Sequence, residues 1–368
     1  MRLPFKISPI NQRRLHLFRA NRRGYWSFII FMVLFIISLF APLIANDKPI
    51  LVSYKGQWLY PQMQDYPEKV FGGFKARTDF KEGINQEEIM AHGWILWPPI
   101  RHSYRSVNNE IPKPAPSPPA FNLTREELCA KYPNGVKDFQ CHASNMNWFG
   151  TDDRGRDVIA RMLYGFRVSV AFGLILTLMS SVIGVFAGAI QGFFGGWTDL
   201  LFQRFIDIWS SLPTLYLLII MASFFKPTFW LLLSILVLFS WTSLVGVVRA
   251  EFLRARNFEY VRAARALGLS NARIMWKHLL PNALVSTVTF MPFLLSGSVT
   301  TLTALDFLGF GLPSGSASLG EMVAQGKNNL QAPWLAGSAF VAICSLLTLL
   351  VFAGEAVRDA LDPRKTFK

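Results

Sequence analysis

Three carboxylates and three guanidinium groups crowd into ten residues: Asp152, Asp153, Arg154, Arg156, Asp157 and Arg161. Clustered acids are what a cation site or an acid–base pair needs. Here interleaved arginines neutralise them. The pattern reads as a helix start, with Thr151 or Asp152 as the cap, acids in the first turn and arginines after it. Arg204 and Asp207 stand three apart, so they share a helix face and suit an ion pair at a membrane edge. His92, His102 and His142 have no ligand spacing. Gly320 and Gly326 stand one residue too far apart for a phosphate loop, and Asn328 follows Lys327, so no ATP site is assigned to this chain. No catalytic residue and no metal site is assigned either. Cys129 and Cys141 suit a disulfide in an oxidising compartment. Cys344 lies in an apolar run and reads as a packed core residue.

The elements that hold these residues are membrane helices. Of 368 residues, 52% are hydrophobic and only 16% charged, against roughly 25% charged in soluble domains. That excludes a disordered chain or a small disulfide scaffold. Six apolar runs are long enough to span a bilayer: 25–45, 168–190, 200–224, 228–248, 283–305 and 334–356. The first is too long for the apolar part of a signal peptide and is expected to stay as a helix.

A net charge of +14 on a soluble chain would suggest nucleic acid. Three segments, 1–24, 249–281 and 357–368, together hold 18 Lys/Arg and 4 acids, which is the whole of that charge. Residues 46–150 hold 12 basic and 11 acidic residues and are nearly neutral. With six alternating helices the basic segments fall on one side. The positive-inside rule then places both termini and 249–281 in the cytoplasm and 46–166 outside. No nucleic-acid partner is expected.

The stretch 46–166 is rich in Trp, Tyr and Pro and reads as a mixed, loop-rich exported insertion. Residues 111–120 form a polyproline-like spacer. Short helices are predicted at 84–91 and 124–131, the second with Thr124 as cap and Glu127 three residues on.

Within the helices, Ser180, Gly184, Gly188 and Gly192 recur every four residues, a small-residue stripe for close packing against a neighbour in this chain or in a partner. Pro213 is expected to kink the third span. No acidic or histidine relay crosses the membrane, which counts against a proton-coupled secondary transporter. Residues 257–282 read as helix, glycine turn, helix. Gly268 suits the left-handed position after the first helix, Ser270 caps the next, and Pro281 ends it. Such a basic hairpin either lies on anionic lipid or docks on a cytoplasmic partner.

This loop resembles the EAA loop of ABC-importer permeases, E-A-A-x3-G-x9-I-x-L-P. Ala263, Ala264, Gly268, Leu280 and Pro281 fall on matching positions, with Arg262 in place of Glu and His278 in place of Ile. The likeness is to the dipeptide and oligopeptide permeases. Phe149-Gly-Thr-Asp-Asp-Arg-Gly-Arg-Asp157 is similar to their segment before the second helix, and Arg204-x2-Asp207-x5-Pro213 to their third helix. Phe307-Leu-Gly-Phe-Gly311 and Ala360-Leu-Asp-Pro-Arg364 are similar to later segments, while Leu302 stands where the family often has Glu. The long insertion after the first helix resembles the Yej-type branch, importers of oligopeptides and microcin C.

The resemblance implies an all-α membrane protein of the type I importer kind. Its parts would be a basic terminus 1–24, a first helix 25–45, the insertion 46–166, a permease core 167–356 with coupling loop 251–281, and a cytoplasmic end 357–368. It implies a non-enzymatic translocation subunit of the bacterial inner membrane, with no cofactor of its own. ATP and Mg would sit on partner ATPases. A second permease, expected to be a different chain, and a periplasmic peptide-binding protein would complete the machine. Glu259, Arg262, Ala263, Ala264, Gly268, Leu280 and Pro281 would couple to the ATPase. A nickel-type permease and, further off, a secondary transporter or membrane-bound enzyme are the competing readings.

Overall fold

The computed structural model of the chain describes residues 9–109, 111–129, 146–313 and 315–361. The expected pairing of Cys129 with Cys141 lies outside them, as does the segment 362–364. The described helices are α1 (Pro9–Ala20), α2 (Arg22–Leu39), α3 (Ala41–Ile44), α4 (Gly83–His92), α5 (Arg125–Cys129), α6 (Val158–Phe194), α7 (Gly196–Ser210), α8 (Thr214–Phe224), α9 (Phe229–Ser240), α10 (Thr242–Ala255), α11 (Glu259–Ala266), α12 (Asn271–Arg273), α13 (Leu280–Leu308), α14 (Leu319–Asn328) and α15 (Pro333–Leu361). Among the described residues, five helical stretches are long and apolar enough to cross a membrane: Arg22–Leu39, Val158–Phe194, Phe229–Ala255, Asn271–Leu308 and Pro333–Leu361. The pair α7–α8, bent by 61°, makes a sixth if it counts as one span. Pro213 lies at that break, where its missing N–H and fixed φ stop α7 from continuing.

The chain divides into two compact units. One comprises residues 1–33, 169–313 and 344–368. Its core joins Val185, Ala189 and Phe193 of α6 to Leu244, Val248 and Phe252 of α10 and to the elements that follow. The glycine stripe explains the closeness. A Cβ on Gly184 would stand 2.6 Å from the Trp241 carbonyl oxygen, one on Gly188 2.8 Å from that of Val245, and one on Gly192 2.6 Å from that of Arg249. Only hydrogen fits there, so the helices meet backbone to side. Arg249 clamps α10 to α7 through two bonds to the Asp199 carboxylate, 2.5 and 2.6 Å. Arg204 and Asp207 approach to 3.4 Å but both are well exposed. Cys344, expected in the core, is exposed on α15. In lipid an apolar residue is as comfortable outside a bundle as inside, so hydrophobicity alone does not choose its face.

The other unit comprises residues 34–168 and 314–343. It holds a three-stranded antiparallel sheet, β1 (Leu51–Tyr54), β2 (Gln57–Leu59) and β3 (Gly93–Leu96), in the order β2-β1-β3. Lys55 and Gly56 both have positive φ, 47° and 80°, and form the two-residue turn between β1 and β2. Val52 and Tyr54 both face inward, onto Leu59 of β2, Ile89 of α4, and Phe71 and Phe80 between them. Thr124 and Glu127 make a reciprocal capping box at α5: Thr124 Oγ1 accepts from the Glu127 N–H at 3.2 Å, and the Glu127 carboxylate accepts from the Thr124 N–H at 3.0 Å. The segment expected as a polyproline-like spacer is anchored. Ser117 donates its N–H to Thr151 Oγ1 at 2.8 Å and accepts the Thr151 N–H at 3.0 Å.

Candidate functional site: the connection from α10 to α13

α11 is short and two-sided. Val261 and Ala264 are buried against Phe252, Ala255, Ile274, Met275, Leu279 and Ala283, while Glu259, Arg262, Ala263 and Arg265 are exposed. The spacing 261, 264 puts the two inward residues on one face of the helix. α11 ends in a left-handed residue, Gly268, at φ 77°. The Leu269 N–H reaches the Ala264 carbonyl at 3.1 Å and the Gly268 N–H that of Arg265 at 2.9 Å. These bonds satisfy carbonyls that the helix end would leave open. Ser270 then caps α12, its side chain accepting from the Arg273 N–H at 3.4 Å.

Pro281 does not end this helix. α12 runs through a π-helical turn, Ile274–Leu279, straight into α13, and Pro281 stands in its first turn. The Leu280 N–H bonds to the Met275 carbonyl, five residues back. The wider turn absorbs the bond that proline cannot donate.

Of the residues expected to couple, Glu259, Arg262, Ala263 and Gly268 share the exposed side, Ala264 is buried beneath them, Leu280 is half-buried and Pro281 is exposed at the foot of α13. Leu267, not among the residues expected to couple, is 81% exposed at the tip of the turn beside Gly268. Arg262, Arg265 and Arg273 of the same connection are exposed as well. The signal for Leu267 in the sequence was its place directly before the glycine, where side chains project from the helix end.

The charged cluster before α6 holds a different arrangement from the one expected. Neither Thr151 nor Asp152 caps α6; Asp157 does, its Oδ1 accepting from the Ala160 N–H at 2.8 Å. Asp152 instead turns inward. It accepts from the Arg154 and Arg156 N–H groups at 2.9 and 2.8 Å, from Arg156 Nε at 2.6 Å, and pairs with Arg161 Nη1. Arg161 also reaches Glu321 of α14 at 2.8 Å, and Arg161 and Asp152 are fully buried. The result is a buried, mutually neutralised ion network tying α6 to α14.

Asp157 accepts from Asn147 Nδ2 at 2.8 Å and is almost wholly buried. Burial pushes its carboxyl up to about 6, against the pull of its hydrogen bonds. A carboxyl raised in the fold binds more protons there than in the unfolded chain, so stability rises as pH falls through that value. Lowering pH from 7 to 5 is expected to stabilise this unit by about 1 kcal/mol through this group. Thermal unfolding in detergent at the two pH values checks it: Asp157→Asn should lack that gain.

A family model described as the inner membrane component of binding-protein-dependent transport systems matches residues 162–367. The chain belongs to this family. The match takes in every residue from Glu259 to Pro281. The peptidoglycan transport system permease YejE of Agrobacterium fabrum is 63% identical over 98% of this chain and 95% of its own length. The inner membrane ABC transporter permease YejE of Escherichia coli is 55% identical over 98% of this chain and 99% of its own. The oligopeptide permease OppC of Lactococcus lactis is 34% identical over 63% of this chain and 80% of its own. As a binding-protein-dependent permease, the chain is a membrane translocation subunit.

Proposed function

We propose that the chain is the transmembrane subunit of an ABC importer that moves peptides, including peptides derived from peptidoglycan, across the inner membrane. The observation that carries this reading is the 63% identity, over nearly the whole chain, to a permease named for peptidoglycan transport; the likeness to OppC supports the peptide class. These relatives favour a peptide importer over a nickel permease or a secondary transporter. In this reading a periplasmic protein delivers the peptide, a second permease completes the path, and two cytoplasmic ATPases bind ATP and Mg. The insertion 46–166 lies on the periplasmic side and both termini are cytoplasmic, as the charge distribution favours.

The connection 251–281 is then the lever. Its exposed side, Glu259, Arg262, Ala263, Leu267 and Gly268, meets the ATPase. Because Val261 and Ala264 share one core with Ile274, Met275, Leu279 and Ala283, a push on α11 is carried into the foot of α13. The π turn is the compliant point. Two results test the assignment. Both ATPases should co-purify with this chain. In a cysteine-free background, Phe74→Cys, at a position 97% exposed, should react with an impermeant thiol reagent in spheroplasts, and Arg265→Cys only after the membrane is opened. The reverse labelling pattern would refute the orientation.

A further inference from the structure

Where the long apolar helices are exposed, they mostly expose bulky apolar side chains, as Leu174, Leu178, Val182 and Phe186 do on α6. One face of α13 departs from this. Gly297, Thr300, Thr301 and Ala304 are exposed there at helical spacing. Beside that face lies a recess of about 220 Å³ between α6, the junction of α9 with α10, and α13. Six hydroxyl groups line it, from Thr177, Ser180, Ser240, Ser243, Ser298 and Thr301. Thr177 and Ser298 meet at 3.2 Å. Ser180 is only 5% exposed, and among the described residues its hydroxyl has no hydrogen-bond partner. Ser180 begins the small-residue stripe, but unlike the three glycines after it, it faces this recess.

We propose that the recess is a substrate-contact site on the translocation path and that it takes the amide groups of a peptide backbone. A hydroxyl buried without a partner is costly, so the site is built for something that hydrogen-bonds. Hydroxyls both donate and accept, which matches the N–H and C=O of a peptide unit at once. The described lining residues carry no charge, so the site is indifferent to the charge of the peptide's side chains. The volume exceeds that of a single water, about 30 Å³, by enough to admit a peptide unit. The break at Trp241 between α9 and α10 brings Ser240 and Ser243 to the same opening.

The inference rests on the peptide-importer reading. It is tested in the whole transporter in proteoliposomes, with labelled trialanine, whose side chains offer little but backbone. Gly297 lines the recess, and an added Cβ there would meet nothing within 4 Å, so Gly297→Leu adds bulk at the opening of the recess with no clash at its Cβ. Uptake should fall at least about tenfold, with the second permease and ATPases still bound and ATP hydrolysis within about twofold. Thr177→Val, Ser180→Ala and Ser298→Ala combined, which keep the space and remove hydroxyls, should lower uptake about fivefold. Wild-type uptake by Gly297→Leu in a complete complex would overturn the proposal. So would loss of the second permease from that complex, which would make the recess a subunit contact. Normal uptake by the hydroxyl-free variant would overturn the assignment to backbone amides. A wild-type transporter that takes up no peptide would fail earlier, on the peptide reading itself.

Discussion

Arg161→Ala is expected to cost about 3–5 kcal/mol in the unit formed by residues 34–168 and 314–343. Arg161 and its partner Asp152 are fully buried, and Glu321 is 23% exposed. Removing the guanidinium leaves Asp152 with Arg156 alone and frees the α14 carboxylate from its closer partner. The cost is that of an under-compensated buried charge, larger than the net worth of the pair when intact. Against a domain stability of about 5–15 kcal/mol this is a large fraction. Limited proteolysis in detergent should cut this unit far faster in the variant than in the wild type, while the helices of the other unit resist. Arg161→Lys should fall between, because an ammonium keeps the charge but cannot reach both carboxylates in fork geometry. Wild-type proteolysis of Arg161→Ala would show that the network contributes little.

Gly268→Val is expected to abolish most transport while leaving the chain inserted and paired. Open space surrounds the Gly268 Cα, so no neighbour is struck. The strain is in the backbone: φ is 77°, and a residue with Cβ held there loses about 1–2 kcal/mol. A β-branched residue is the least tolerant. Relief comes by re-aiming Leu269 and the capped turn at Ser270, which displaces the exposed face of α11 relative to α13. Peptide uptake should fall about tenfold or more, with ATPases lost or hydrolysing without transport. Gly268→Asn should retain most activity, since asparagine visits the left-handed region readily. If the hairpin merely rested on lipid headgroups, Gly268→Val would transport normally and the combined loss of Arg254, Arg265 and Arg273 would impair insertion instead.

Local signals were the legible ones. The glycine at the end of α11, the Ser270 cap, the Thr124–Glu127 box and the Pro213 break each depend on a residue and its near neighbours, and the sequence carries those directly. Long apolar runs located the helices because lipid demands them. What was hidden depends on distant partners. Asp152 looked like a cap because nothing local says that Arg161 and Glu321 will close around it, and Asp157 took the cap. Pro281 looked like a stop because a widened turn that accommodates proline leaves no compositional mark. Lys55-Gly56 marks a turn only once the flanking β1 and β2 are known to pair. The hydroxyls of the α13 recess come from four separate helices, and their convergence is a product of packing. Cys344 shows the same limit from the lipid side.

ATP-driven peptide uptake by the reconstituted transporter is the decisive property of a peptide-importing permease. Proteoliposomes holding this chain, its second permease and the ATPases, with the binding protein outside and ATP within, should accumulate labelled trialanine. Accumulation should stop when ATP is omitted, when this chain is left out, or when Gly268→Val replaces it. Accumulation driven by a proton gradient without ATP, or unchanged by Gly268→Val in a complete complex, would contradict the proposed function.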